Sequence, residues 1–160
     1  MIAIVPRSSV AVESPASPDA IALVAALDAY LLDLYPPEHN HLLSIDALLA
    51  PEVTFVVART TAAAAGCGAL LRHGRDFIEI KRMFVRPQFR GHRIGDAVLR
   101  FLEQLGLHEG YRLAKLETGV RQPEALRLFE RAGYRPAGPF GGYAENGTSV
   151  FLERTLGVAP

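Results

Sequence analysis

A cluster of basic residues carries the side chains in this sequence that are best suited to hold an anion. Guanidinium groups donate paired hydrogen bonds that match the geometry of phosphate. The cluster ends at the predicted start of a helix, where free N–H groups and the helix dipole favour negative charge. We interpret the segment either as a phosphate-binding loop or as an ordinary solvated basic loop. Its cations are Lys81, Arg82, Arg86, Arg90 and Arg93, and no acid interrupts them.

Two glycines in the same segment allow its backbone to approach a bound oxygen closely. Gly91 lies within the loop and Gly95 lies just inside the predicted helix. The spacing does not match two better-known phosphate motifs. No Gly-Lys-Ser/Thr closes the loop as in a Walker motif, and the Gly-x-Gly-x-x-Gly dinucleotide pattern is absent.

The N-terminal third of the chain has the opposite charge. Between Ser8 and Ala58 there is no Lys or Arg. The two segments are either solvated faces of opposite sign or the binding regions for two ligands of opposite charge. The acids of this stretch are Glu13, Asp19, Asp28, Asp33, Glu38, Asp46 and Glu52.

Alternating strand and helix patterns predict the elements that would position these side chains. Ser17-Pro18-Asp19 is typical of a helix start, and Pro36-Pro37 ends that helix. Strands and helices alternate from Phe77 to Ala132, which predicts a right-handed crossover and a mixed sheet. The predicted strands are Val10–Glu13, Val53–Ala58, Cys67–Arg72, Phe77–Val85, Leu113–Thr118 and Ser149–Glu153; the predicted helices are 18–34, Ser44–Leu49, Ile94–Leu107 and Pro123–Ala132.

Length and composition predict one domain over residues 1–160 and exclude several classes of protein. The chain is 49% hydrophobic and 21% charged, and its 17 basic and 17 acidic residues cancel. Neutrality argues against a general nucleic-acid or membrane-surface binder. We expect no signal peptide and no membrane span, and therefore a cytoplasmic protein.

The metal-binding and thiol side chains do not form a recognisable site in the sequence. The lone Cys67, flanked by Gly66 and Gly68, is expected in the core and forms no intramolecular disulfide. Glu38, His39 and His41 follow the double proline, but they lack a fourth ligand. We predict no metal site.

Three ordered segments resemble the GNAT superfamily of N-acetyltransferases. After Val85-Arg86-Pro87, the residues Arg90, Ile94 and Gly95 match the family's Gln/Arg-x-x-Gly-x-Gly/Ala loop, although Arg93 replaces its first glycine. The segment 116–119 resembles the next core strand, and 122–134 resembles the helix written Asn-x-x-Ala-x-x-Leu-Tyr-x-x-x-Gly-Phe/Tyr. The resemblance spans residues 53–155. It implies an α/β fold, an α+β arrangement with a mixed sheet of six or seven strands, splayed parallel core strands and about four helices.

The resemblance also implies acetyl-CoA as co-substrate and assigns residues to it. The pantetheine arm would pair with the strand ending at Val85, and a backbone N–H near Phe84 or Val85 would face the thioester carbonyl. The pyrophosphate would lie on the basic loop. The implied cofactor residues are Met83, Phe84, Val85, Arg90, Gly91, His92, Arg93, Ile94, Gly95, Asp96, Gln122 and Phe129.

The implied chemistry needs a general base, because an ammonium cannot attack a thioester. Glu79 matches the family's strand glutamate, while an ion pair with Lys81 or Arg82 is the alternative reading. Glu117 on the facing strand is the second candidate. Phe129 replaces the tyrosine that relatives use as an acid, so Tyr143 is a possible substitute donor or only a packed loop residue.

The resemblance places the acidic N-terminal segment beside the acceptor. We expect Asp33, Tyr35, Glu38 and His39 in the acceptor wall and a cationic or neutral amine as acceptor, steered by the acids. The predicted function is acetyl transfer to a primary amine of a small molecule or peptide, with a homodimer as the default assembly. The alternatives are a catalytically weak acyl-CoA-binding sensor on the same fold and an unrelated nucleotide-binding protein.

Overall fold

The computed structural model describes residues 7–40, 43–61 and 63–160. Within these ranges seven strands form one sheet in the order β1-β2-β3-β4-β5-β7-β6. Short 3-10 turns lie at Pro37–His39 and Pro87–Phe89. The strands are β1 (Ser9–Val12), β2 (Val53–Arg59), β3 (Ala64–His73), β4 (Phe77–Val85), β5 (Leu113–Gly119), β6 (Arg135–Pro136) and β7 (Ser149–Thr155); the helices are α1 (Pro18–Leu34), α2 (Ile45–Leu48), α3 (Ile94–His108) and α4 (Pro123–Arg131).

The helix boundaries follow from local sequence. Ser17 caps α1, since its Oγ accepts a hydrogen bond from the backbone N–H of Ala20 at 3.2 Å, and Pro18 occupies the first turn. Ser44 caps α2 in the same way, its Oγ accepting from the N–H of Ala47 at 3.1 Å. α4 starts at Pro123. Local signals therefore fixed both the start of α1 and its end before Pro36.

The sheet opens between its two parallel strands. β4 and β5 pair only at Ile78↔Ala114, Glu79↔Lys115 and Ile80↔Leu116, and all the other strand pairs are antiparallel. Both strands continue past this point, to Val85 and Gly119. The mixed sheet with splayed parallel core strands is confirmed.

A β-bulge bends β4 where it separates from β5. Gly68 of β3 is opposed by both Arg82 and Met83, because the register passes from Ala69↔Lys81 to Cys67↔Phe84. Arg82 has φ 55, which is unusual for a residue with a side chain. A bulge inserts one residue and redirects the side chains that follow it.

Helices cover both faces of the sheet. α3 and α4 pack on one face, where Ile78 and Ile80 of β4 meet Val98 and Leu102 of α3. α1 and α2 cover the other face, around a cluster that includes Leu23, Leu27, Phe55, Cys67 and Phe84. No described helix is long and apolar enough to cross a membrane.

The elements predicted from the sequence are present, with shifted ends. β3 begins at Ala64 rather than Cys67, and the short β6 was not predicted. β6 is a two-residue edge strand containing Pro136, so it carries almost no strand signal. The predictions on the first five residues and on His41 lie outside the described residues.

Candidate functional site

A groove of about 500 Å³ lies between the end of β4, the start of α3 and α4. The splay of β4 and β5 forms it, since no strand fills the space beyond Ile80. It is lined by every residue that the sequence assigned to the cofactor except His92, which is exposed. These lining residues are Met83, Phe84, Val85, Arg90, Gly91, Arg93, Ile94, Gly95, Asp96, Gln122 and Phe129.

The loop before α3 has a left-handed backbone at two positions. Gly91 has φ 84, and Arg93, the N-cap of α3, has φ 58 and ψ 27. Glycine adopts this conformation without steric cost, which explains why the family pattern has glycine where Arg93 stands. The side chain of Arg93 makes no capping hydrogen bond, so the N–H groups of the first turn of α3 remain available for an anion.

Further side chains surround this helix start. The Nε of Arg90 donates to the backbone oxygen of Val85 at 3.1 Å, and its guanidinium lies 5.6 Å from the ring centre of Tyr30. Arg131 of α4 pairs with Asp96 at 3.3 Å. A Cβ at Gly95 would lie 3.3 Å from Leu128 Cδ2, so α4 packs closely against α3 here. The shape and the basic lining fit a phosphate-bearing, extended ligand such as coenzyme A.

A second, smaller cavity of about 100 Å³ lies deeper between the separated strands. Lys81 and Arg82 line it from β4, and Glu117 and Thr118 line it from β5. It joins the groove, because five residues line both spaces. The shared residues are Leu27, Met83, Gln122, Ala125 and Phe129.

Two of the four residues predicted for the acceptor wall line this cavity. Tyr35 is buried; its hydroxyl accepts from the N–H of Arg121 at 3.0 Å and donates to Gln122 Oε1 at 3.2 Å. Burial raises the pKa of Tyr35. His39 also lines the cavity, and its Nδ1 lies 3.1 Å from Thr148 Oγ1.

The structure does not bring the other two predicted residues to the cavity. Asp33 and Glu38 are exposed and are absent from its lining. Asp33 lies before Pro36-Pro37 and Glu38 directly after it, and both face solvent. The sequence could place them beside Tyr35 but not fix the direction in which they point.

Glu79 is buried in a polar cluster behind the cavity. Its side chain is 3% exposed, and it is not among the lining residues. Oε1 lies 2.9 Å from His73 Nε2; Oε2 accepts from Lys81 Nζ at 3.2 Å and from the Tyr143 hydroxyl at 2.5 Å. The ion pair with Lys81, given from the sequence as the alternative to a role as base, is present.

Tyr143 belongs to this cluster rather than to the cavity lining. Its hydroxyl donates to Glu79 and accepts from Lys81. Burial first, and then the charge of Glu79, raises the pKa of Tyr143 above its ordinary range. Its proton is therefore firmly held beside Glu79, and a role as acid stays a prediction.

Glu117 is the acid that lines the cavity directly. It stands on β5 immediately past the last paired residue, Leu116, and is half-buried. Ser149 Oγ of β7 donates to its Oε1 at 2.8 Å, which fixes the carboxylate. Phe129 lines both spaces and is 4% exposed, so the aromatic side chain of the family pattern is kept without its hydroxyl.

Arg82 is a cavity residue that the sequence reading placed in the basic segment and in a possible ion pair with Glu79, but not at the acceptor. It lines the cavity, its side chain is 3% exposed, and it donates to Asp28 Oδ1 of α1. Its buried Nε has no hydrogen-bond partner among the residues that the structure describes. Two adjacent cations, Lys81 and Arg82, within a predicted strand were the signal that could have revealed it. Regular alternation would place their side chains on opposite faces of the sheet and bury only one of them.

Cys67 has the structural role expected of it. Its thiol is buried and donates to the backbone oxygen of Arg82 at 3.3 Å. Burial raises the pKa of this thiol to about 12. Among the residues that the structure describes, no three acidic, histidine or cysteine side chains cluster as a metal site would require.

Comparison with known proteins identifies the family to which this geometry belongs. The sequence model of the acetyltransferase (GNAT) family matches residues 21–134. The chain belongs to the GNAT acetyltransferase family. As a family member it is an acyltransferase. This membership was predicted from the loop and helix motifs and is confirmed.

Individual relatives agree with this membership over nearly the whole chain. An "IAA acetyltransferase" of Azospirillum brasilense is 40% identical, and the match covers 94% of this chain and 99% of that protein. A Klebsiella pneumoniae structure, described as a candidate acyl-CoA N-acyltransferase, is 32% identical with a TM-score of 0.81, covering 93% and 97% of the two chains. A GNAT acetyltransferase structure from Elizabethkingia anophelis with acetyl-CoA bound shares the fold at 19% identity and a TM-score of 0.67, covering 93% and 98%.

Proposed function

We propose that this acyltransferase uses acetyl-CoA to acetylate a primary amine held between β4 and β5. The single observation that carries the proposal is the pair of joined spaces that open where these strands separate. One space is basic and meets a helix N-terminus, as a polyanionic donor requires. The other is small and polar. Their junction at Met83 and Phe129 is where donor and acceptor would meet.

The groove residues would bind and orient the donor. Bound acetyl-CoA would supply an activated thioester, and the first turn of α3 with Arg90 and Arg93 would bind its pyrophosphate. The strand edge from Met83 to Val85 turns away from β5, so its backbone groups on that side are available to the pantetheine arm. Holding the reacting groups in this geometry lowers the entropic part of the barrier.

Glu117 is the better-placed group to accept the proton of the amine. A general base must lie within hydrogen-bond reach of the proton, directly or through one water. Glu117 lines the acceptor cavity, whereas Glu79 lies behind Lys81 with neighbours at both carboxylate oxygens. Glu79 would then position Lys81 and Tyr143. If Glu79 is itself the base, its proton must arrive through a water or through these neighbours.

A paired substitution distinguishes the two acids. Glu117→Gln keeps an oxygen that accepts from Ser149 but removes the carboxylate that would accept the proton. We therefore expect kcat to fall at least tenfold with the Kd of coenzyme A unchanged. Glu130→Gln, an exposed change on α4, is the matched control. A loss confined to Glu79→Gln, with Glu117→Gln as active as the parent, would assign the base to Glu79.

The alternative function is a sensor that binds acyl-CoA without transfer, and Phe129 is the residue that favours it. Release of free thiol from acetyl-CoA would be measured with amines, amino acids, polyamines and peptides. Amine-dependent release supports the transferase, because a thiolate of pKa about 8.5 can leave without an acid at neutral pH. Binding of coenzyme A by calorimetry without any amine-dependent release would indicate the sensor.

A further inference from the structure

We propose that the acceptor carries an anionic group, a carboxylate or a phosphonate, beside its amine, and that Arg82 and Lys81 bind that group. This inference rests on the proposed N-acetyltransferase function. It differs from the sequence-based expectation of a cationic or neutral acceptor steered by acids. The residues that carry it lie at the β4 bulge, where two consecutive cations face the same small cavity.

The bulge brings the side chain of Arg82 to the face of the sheet that α1 covers, where it pairs with Asp28. In a regular strand, residues 81 and 82 would point to opposite faces of the sheet. The extra residue opposite Gly68 and the positive φ of Arg82 remove this alternation. A non-glycine residue in this conformation carries a steric cost, and such strain concentrates at functional positions.

The hydrogen bonding of Arg82 leaves a donor for a ligand. Its side chain is 3% exposed, and its Nε is buried with no partner among the described residues. A buried unsatisfied donor on a charged group is costly. This Nε is closed off from solvent, so a carboxylate or phosphonate oxygen would satisfy it after a turn of the side chain into the cavity that Arg82 lines, whereas the aliphatic end of a simple amine would not.

The charges are arranged so that the two ends of the cavity differ in sign. Lys81 and Arg82 line it, while their carboxylate partners Glu79 and Asp28 do not. Because the cations line the cavity and their partners do not, we expect a positive potential at this end. Glu117 lines the opposite strand across the opening. A molecule with an amine and an anionic group fits this polarity in one orientation.

The test compares acceptors that differ only in the anionic group. An amino acid, its carboxamide and its decarboxylated amine form one series, and an aminoalkyl phosphonate extends it. We expect kcat/KM for the anionic members to exceed that of the neutral or cationic members at least tenfold. A second readout is calorimetric binding of the amino acid and of its carboxamide to protein saturated with coenzyme A.

Arg82→Gln paired with Asp28→Asn removes both charges together and avoids an unpaired buried carboxylate. In this double variant the preference for the anionic member should fall at least tenfold, in binding as well as in turnover. Arg86→Gln is the matched control, because Arg86 lies on the same segment but lines neither space. It should retain the preference.

Each outcome is decisive for one of the two proposals. Equal or better use and binding of the carboxamide would overturn the anionic acceptor and leave the transferase function intact. If none of the acceptors, whatever its charge, gives thiol release, the transferase function is refuted. The calorimetric comparison would still decide whether the cavity prefers an anion.

Discussion

At the residue scale, Arg93 departs from the family motif and adopts a backbone conformation that carries a steric cost for any residue other than glycine. The residue caps α3 with φ 58 and ψ 27, where the family pattern has glycine. Arg93 lines the groove, where its charge would attract the phosphates of the donor, so a steric cost to folding accompanies an expected gain in donor binding.

Replacing Arg93 should therefore separate these two effects. We expect Arg93→Gly to unfold with a free energy about 1 kcal/mol higher than Arg93→Ala, because glycine removes the left-handed strain and alanine does not. Both variants lose the cation, and both should bind coenzyme A several-fold more weakly than the parent. Denaturant unfolding and calorimetry provide the two measurements. Equal stability of the two variants would show that the backbone at position 93 is unstrained.

Gly95 is the residue whose size matters most for donor binding. A Cβ there would lie 3.3 Å from Leu128 Cδ2 and 3.7 Å from Val85 Cγ2, between α4 and the strand edge. Gly95→Val should weaken coenzyme A binding about tenfold or more by filling the helix start. Gly138→Ala is the control, since nothing lies within 4 Å of its added Cβ. Unchanged affinity in Gly95→Val would exclude this part of the groove as the phosphate site.

At the element scale, the close packing of α3 on β4 sets where the helix N-terminus lies. Gly106, in the last turns of α3, has Ile78 Cδ1 only 2.4 Å from the position of an added Cβ. Ile78 is fully buried and belongs to the paired part of β4. α3 and β4 are therefore in contact at Gly106, and a larger residue at this position would push them apart.

A rescue experiment tests this packing. Gly106→Ala should lower the free energy of unfolding by about 1–2 kcal/mol, because overpacking exceeds the helix propensity that alanine adds. Adding Ile78→Val removes the clashing Cδ1 and should recover part of the loss. Thermal and denaturant unfolding of the single and double variants measure both effects. If the double variant is no more stable than Gly106→Ala, the contact does not limit the packing.

At the scale of the whole molecule, the two oppositely charged segments have unequal roles. Several acids of the N-terminal segment hold it to the sheet: Arg59 pairs with Glu13 at 2.8 Å and with Asp19 at 2.9 Å, and Arg82 pairs with Asp28. The exposed Asp33 and Glu38 line neither space. Of the basic segment, by contrast, Arg90 and Arg93 line the groove and Lys81 and Arg82 line the cavity.

The salt concentration should consequently affect kcat/KM for acetyl-CoA more than kcat/KM for the amine acceptor. We expect kcat/KM for acetyl-CoA to fall by about threefold or more between 50 and 500 mM salt, since screening shortens the reach of the groove cations. Glu38→Gln should leave kcat/KM for a cationic amine and its salt dependence unchanged. A strong effect of Glu38→Gln would restore the acidic segment as a steering surface.

The sequence by itself determined the elements, their order and the family. Ser17-Pro18 and Pro36 fixed α1, the alternation of strands and helices from Phe77 to Ala132 predicted the mixed sheet, and the basic loop with Gly91 and Gly95 indicated the donor groove. These signals are local, because caps, periodicity and loop glycines act through neighbouring residues.

Only the tertiary structure decided which side chains reach the acceptor cavity. The bulge at Arg82, the end of β4–β5 pairing at Ile80, and the hydrogen bonds that enclose Glu79 all depend on contacts between distant segments. One inserted residue reverses the faces of a strand, so alternation counted along the chain fails beyond it. For that reason the sequence located the donor loop, whereas the placement of Glu117, Lys81 and Arg82 around the acceptor required the fold.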